Sequence, residues 1–265
     1  KPDEEKKYNP NKPNMNRLSV IARDLSNIVK KLDLTRPVTA ALAFPELSTQ
    51  IGYIDALDVV GYNYKEHLYR EDHKRFPDKP FLGSENGHSY DAWQAVVKND
   101  FISGQFLWTG IDYLGECAGW PYHGSQSGLL TTAGFEKPEY YRRKSFWSDK
   151  EMIHIVTARK GNDESEWKEM NEIWNYIPGE VIVVRCYTNV ENPQLFLNGI
   201  LQSEFIDTSD KGYLTWNVVF EEGKLEAIAG EVSHKLETVG AATTIRLKPI
   251  SIEDIIQIEL EIFRL

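Results

Sequence analysis

Lys79-Pro-Phe-Leu-Gly-Ser-Glu-Asn-Gly87 decides how the first half of this 265-residue chain is read. Pro80–Ser84 is a short run without polar–apolar alternation. Such a run fits a parallel strand buried on both faces, and it delivers Glu85 to the strand's C-terminal end. Comparable runs stand at Val38–Leu42, Leu57–Tyr62 and Gly104–Thr109, so successive starts lie 19, 23 and 24 residues apart by their numbers. Segments between them, such as Asp91–Asp100 with Trp93, Val96 and Val97, can hold short helices. Upstream, Leu18, Ile21, Ala22, Leu25, Ile28, Val29 and Leu32 recur at helical spacing from about Asn16 to Asp33. Downstream, Pro138–Trp147 reads as an amphipathic outer helix with proline near its start. Strand–helix alternation predicts βαβ units. Four such strands amount to half of a closed (β/α) barrel, which needs eight.

After about Lys150 the pattern changes. Ile153–Arg159, Glu180–Thr188, Gln194–Asn198, Leu214–Phe220 and Lys224–Ala229 are short strand-like runs, with turn signals at Asn198-Gly199 and Glu222-Gly223. The expected class is α/β plus all-β. Residues 1–150 form a partial barrel, 151–240 an immunoglobulin-like antiparallel β-sandwich, and 241–265 a β-rich tail or the start of a further domain. Residues 1–15 read as a polar linker or surface loop.

The formal net charge is −10 and the sequence pI about 5.2. A phosphate-tracking surface needs clustered Lys and Arg, so neither nucleic acid nor an anionic membrane is an expected partner. No apolar run approaches the length that spans a bilayer. The two cysteines, Cys117 and Cys186, imply no disulfide framework, and no His/Cys spacing suggests a metal. No cofactor is expected either. The chain starts at Lys1 rather than Met, as expected of a polypeptide processed or cut from something longer.

Barrel sites gather at the C-terminal ends of the strands. Here those ends carry Glu85, the segment Tyr62-Asn63-Tyr64, and Trp108 followed by Asp112 and Glu116. Aromatic faces stack on sugar C–H faces, while carboxylates and amides pair with hydroxyls, so the set suits a carbohydrate. Each residue also has a plainer reading. A lone Glu after a strand is more often a solvated loop residue; Tyr62 and Trp108 suit a core; Asp112 and Glu116 suit caps or surface. The histidines are scattered, and only His88 and His123 fall near the proposed mouth.

Five ordered blocks sharpen the choice: Thr35-Arg-Pro-Val-Thr39, Asp58-Val-Val-Gly-Tyr-Asn-Tyr64, Lys79-Pro-Phe-Leu-Gly-Ser-Glu85, Gly104-Gln-Phe-Leu-Trp-Thr-Gly-Ile-Asp-Tyr-Leu-Gly-Glu116, and Gly128-Leu-Leu through Trp147. Together they resemble the C-terminal half of the catalytic TIM-type barrel of glycoside hydrolase family 2, in the form found among Bacteroidetes β-galactosidases. Trp174-Asn-Tyr176 and Cys186-Tyr-Thr-Asn189 followed by Leu195-Phe-Leu-Asn-Gly199 resemble the sandwich that follows the barrel. The resemblance implies that Glu85 is the nucleophile of a retaining exo-β-glycosidase acting on terminal β-galactosides. A tyrosine beside Asn63 should hydrogen-bond it, Tyr62 being favoured over Tyr64. Trp108 is expected in the sugar-binding floor, Asp112 and Glu116 near hydroxyls, and Trp120 and His123 in the outer pocket.

The resemblance also implies an acid/base Glu after an Asn on an earlier strand, and no such pair precedes the first helix. Glu4 and Glu5 sit in a lysine-rich polar segment and suit the role poorly. The chain alone is therefore expected to lack activity, with either the N-terminal half of the same enzyme or self-association covering the open half-barrel. The resemblance further implies that a glucuronide-recognising member would carry an Asn-x-Lys element, and its absence from the barrel region after Trp108 favours a neutral sugar over a β-glucuronide. The family implies a periplasmic or extracellular setting. Competing readings are a non-catalytic carbohydrate-binding fragment, using Trp167, Trp174, Tyr176, Tyr187 or Trp216, and a structural spacer.

Overall fold

The computed structural model describes residues 14–117, 119–163, 165–240, 242–252 and 255–264. Glu4, Glu5 and most of the expected N-terminal linker lie outside them. The chain folds as two units, residues 1–128 and 129–265.

The first unit opens with α1 (Arg17–Leu32). Its end is set by Asp33, whose carboxylate accepts from Thr35 N–H at 2.8 Å, Thr35 Oγ1 at 2.6 Å and the Arg36 guanidinium at 2.6 Å. Then follow β1 (Thr39–Leu42), α2 (Pro45–Ser48), β2 (Val59–Asn63), α3 (Tyr69–Arg75), β3 (Phe81–Asn86), α4 (Tyr90–Val97) and β4 (Ile102–Leu107). The four strands make one parallel sheet in the order β1-β2-β3-β4. Crossovers between parallel strands require intervening chain, and helices supply it here. Leu42, Val60, Tyr62, Phe81 and Ile102 from the sheet pack with Tyr69 of α3 and Val96 of α4. The helix-covered face of the sheet is thus the core. On the opposite face Gly61 is needed, because a Cβ there would meet Ala40 O at 2.5 Å and Ser84 Oγ at 2.9 Å. A short hairpin, β5 (Tyr113–Leu114) and β6 (Gly124–Ser125), completes the unit.

The second unit begins before the boundary of 150 expected from the sequence. Its helix α5 (Pro138–Trp147) packs on β7 (Ile153–Arg159) and β8 (Val181–Thr188). The remaining strands are β9 (Gln194–Leu197), β10 (Ile200–Leu201), β11 (Leu214–Val219), β12 (Lys224–Ala229) and β13 (Val232–Glu237). They form two antiparallel sheets, β11-β8-β7 and β10-β9-β12-β13. Side chains of both sheets share one core that includes Ile155, Trp174, Val184, Leu195, Trp216 and Leu225. The other face of β8 and β7 is buried too, under Tyr141, Met170 and Tyr213. That explains why β7 is buried at nearly every position instead of alternating. The Asn198-Gly199 turn forms as expected, with φ of 50° and 82°. β14 (Ala242–Ile252) and β15 (Ile255–Arg264) pair antiparallel with each other. No described helix is long and apolar enough to cross a membrane.

Candidate active site

The C-terminal ends of β2 and β3 are irregular, and the irregularity builds the site. Register shifts between Tyr62 and Asn63, and again between Gly83 and Asn86. The second shift lets the buried Asn86 side chain fold back over Gly83, where a Cβ would lie 2.2 Å from Asn86 Oδ1. Just past the strand, Tyr64 adopts φ of 53°, a left-handed conformation uncommon outside glycine. Its N–H donates to Glu85 O at 2.8 Å. The chain therefore turns out of the sheet at the point where Asn63, Tyr64 and Glu85 meet.

A relay of side-chain hydrogen bonds leads to the Glu85 carboxylate. Ser84 Oγ donates to Asn63 Oδ1 at 2.9 Å, which fixes the amide with its NH₂ toward Glu85. Asn63 Nδ2 then donates to Glu85 Oε2 at 3.1 Å. The Tyr64 phenol lies beside the Glu85 carboxylate; burial first, then interaction with that side chain and its charge, raise the phenol well above its ordinary range. A phenol held this way stays protonated and remains a donor.

Tyr62, favoured from the sequence as the partner of Glu85, is not that partner. Its side chain lies on the helix-covered face with Val60, and its hydroxyl donates to Asp72 Oδ2 at 2.8 Å. Residues two apart on a regular strand share a face; the shift after Tyr62 and the turn at Tyr64 break that rule here. Glu85 is part-buried, and Tyr64 is half-exposed beside it.

The other expected residues spread over β4 and the hairpin that follows. Trp108 N–H donates to Asn86 O at 2.9 Å, which sets it at the end of the neighbouring strand with its ring 41% exposed and edge-on to Tyr113. Asp112 accepts from Gly128 N–H at 2.8 Å, a bracing contact within the loop. Glu116 accepts from the Tyr113 hydroxyl. Trp120 and His123 sit exposed in the loop joining β5 and β6, with ring centroids 5.0 Å apart. The structure thus joins Asn63 to Glu85 directly and places Trp108 on the adjacent strand end. The contacts just given for Asp112, Glu116, Trp120 and His123 stay within the hairpin and its flanking loops.

Sequence reading missed Ser84 and a pocket of about 430 Å³ lined by Tyr64, Glu66, His67, Ser89 and Asp91 among others. Burial pushes the Glu66 carboxyl up. Only the proximity of these residues to the Tyr62–Tyr64 segment hinted at them. In the second unit, Trp174, Tyr187 and Trp216 are core residues at 0–2% exposure, and Tyr176 packs against the core, leaving Trp167 as the exposed aromatic of the five considered for sugar binding.

Comparison with known proteins leads to the same enzyme family as the ordered motifs. Residues 179–234 match a family model described as a domain of unknown function, DUF4982. The chain is 30% identical over 285 aligned positions to a β-galactosidase of Bacteroides ovatus, BoGH2A, covering 87% of this chain and 32% of that protein. It is 35% identical over 147 positions to a putative β-glucuronidase of Formosa agariphila, covering 51% of this chain and 13% of that protein. A crystal structure of a glycosyl hydrolase family 2 member from Bacteroides cellulosilyticus superposes with a TM-score of 0.76 at 33% identity, over 87% of this chain and 32% of that one. The chain spans about a third or less of the length of these relatives.

Proposed function

We propose, for a chain that is similar to family 2 glycoside hydrolases over most of its length, that Glu85 is the nucleophile of a retaining exo-β-glycosidase. The observation that carries this is the Glu85 carboxylate at a strand end, hydrogen-bonded by Asn63 with the Tyr64 phenol beside it. A carboxylate so placed can attack the anomeric carbon and form a glycosyl-enzyme, which water then hydrolyses. As negative charge leaves Glu85 in that step, Asn63 holds the carboxylate in line. Trp108, at the adjacent strand end, supplies an aromatic face for the sugar ring.

The second carboxyl of such a mechanism stands about 5–5.5 Å from the first and protonates the leaving oxygen. We assign it to a strand outside β1–β4, in the remainder of a longer enzyme whose barrel these strands continue. Two observations support a missing neighbour. Among the described residues β1 pairs only with β2, and Val20, Leu25 and Ile28 of α1 are exposed apolar residues. The sheet is read as half of a (β/α)8 barrel and the sandwich as immunoglobulin-like.

Terminal β-galactosides are the proposed substrate. The relative matched over 87% of the chain is a β-galactosidase. A β-glucuronide is the second reading, motivated by the Formosa relative. Assay of the chain alone on aryl β-galactosides and β-glucuronides should show no turnover; robust turnover would defeat the assignment of the acid/base elsewhere. In a complete barrel containing this segment, Glu85→Gln should lower kcat on the order of 10⁴-fold. A loss under about tenfold would remove Glu85 from the nucleophile's role.

A further inference from the structure

Three side chains distant in sequence meet in the second unit. His154 lies on β7, Glu172 between β7 and β8, and His234 on β13; one potential ligand atom from each lies within 4.8 Å of the others. His154 Nε2 is 2.7 Å from Glu172 Oε1, yet it is buried and aligned for no hydrogen bond. The His154 ring is 5% exposed and held flat against Tyr141 at 3.5 Å, with His234 at 4.0 Å on centroids.

We propose that His154, Glu172 and His234 bind one divalent cation of the zinc class, joining the two sheets of this unit. Two imidazoles and a carboxylate are a donor set for borderline metals, whereas calcium and magnesium prefer all-oxygen shells. Burial keeps both imidazoles below their ordinary range, so at neutral pH they are uncharged and have lone pairs to give. Burial, and then the charge of Glu136, disfavour an ionised Glu172, and a bound cation offsets both. Lys144 opposes a cation, but its side chain is exposed to solvent. Bonds of about 2.0–2.1 Å place tetrahedral ligands about 3.4 Å apart, inside the 4.8 Å within which these candidate atoms already lie. His234 Nδ1 accepts from Ile155 N–H at 3.2 Å, which ties its ring to β7. β7 and β13 belong to different sheets, so the ion would act as a staple between them.

The test is titration of the metal-free full chain with Zn²⁺ by calorimetry and with Co²⁺ by visible absorption. One ion per chain is expected, with visible d–d bands for Co²⁺ and a rise in unfolding temperature. His234→Ala and Glu172→Gln should each weaken binding by at least about tenfold, and Cys117→Ser should leave it unchanged. Melts without metal establish that each variant folds; if His234→Ala does not, Glu172→Gln, on a part-exposed side chain, decides. No saturable binding, binding indifferent to the substitutions tested, or binding lost with Cys117→Ser would overturn the site.

Discussion

The Tyr62 hydroxyl donates to Asp72 at 2.8 Å, and Asp72 also accepts from Arg75 Nη1 at 3.0 Å. Asp72 is buried, so each donor it loses leaves a carboxylate less well paired. Tyr62→Phe should therefore cost about 1.5–3 kcal/mol in urea unfolding. Tyr64→Phe, at a half-exposed side chain, should stay within about 0.5 kcal/mol. Equal costs would show that the two tyrosines do not divide the structural and site roles as described. Asp33 gives a second residue-scale test. Hydrogen bonds from the Thr35 hydroxyl and N–H, then from Arg36, hold its carboxyl down at about 2. Its pKa is depressed on folding, so its contribution is present above the unfolded value near 3.8 and fades as pH falls through about 2. Carboxyl NMR should show that low midpoint, returning toward 3.8 in Thr35→Ala. The segment holding Tyr62 and Tyr64 was visible in the sequence as a strand end; which ring faces Glu85 was not. A register shift and one left-handed residue decide that, and neither leaves a compositional mark.

At the scale of elements, helix α5 shows how a buried charge fixes packing. Arg142 is 1% exposed and reaches Glu166 at 2.8 Å, Glu139 at 3.4 Å and Lys211 O at 2.5 Å, with its guanidinium over Tyr213. A helix face carrying such an arginine reads as solvent-facing in a sequence pattern. The partners that satisfy it come from 24 and 69 residues away. Arg142→Ala should destabilise the second unit by about 3 kcal/mol, near the low end for breaking a buried pair, because both glutamates keep roughly a quarter of their side chains in water. A change below about 1 kcal/mol would mean that α5 is held by its apolar contacts alone. β2 was legible for the opposite reason, as an apolar run buried at its three central positions, whereas β4 is exposed at Ser103 and Phe106.

At the scale of the whole molecule, each unit has its own core, and the shared core of the two antiparallel sheets is drawn wholly from residues 153–229 with partners to 236. Residues 129–240 expressed alone should therefore unfold in one cooperative transition, with near-ultraviolet dichroism from the buried Trp174 and Trp216. A featureless melt would show that this core is insufficient. The residue order alone determined the strand–helix alternation of the first half, the antiparallel strands and the Asn198-Gly199 turn of the second, and the placing of Glu85 at a strand end. These follow from local physics: backbone preferences, apolar runs and turn chemistry are properties of neighbouring residues. Only the tertiary structure decided that Asn63 holds Glu85, with Tyr64 beside it, while Tyr62 serves the core, and that α5 packs with the second unit. It alone brought His154, Glu172 and His234 together. These depend on which distant groups arrive at one point, and on backbone departures of a single residue that reverse the face a side chain presents.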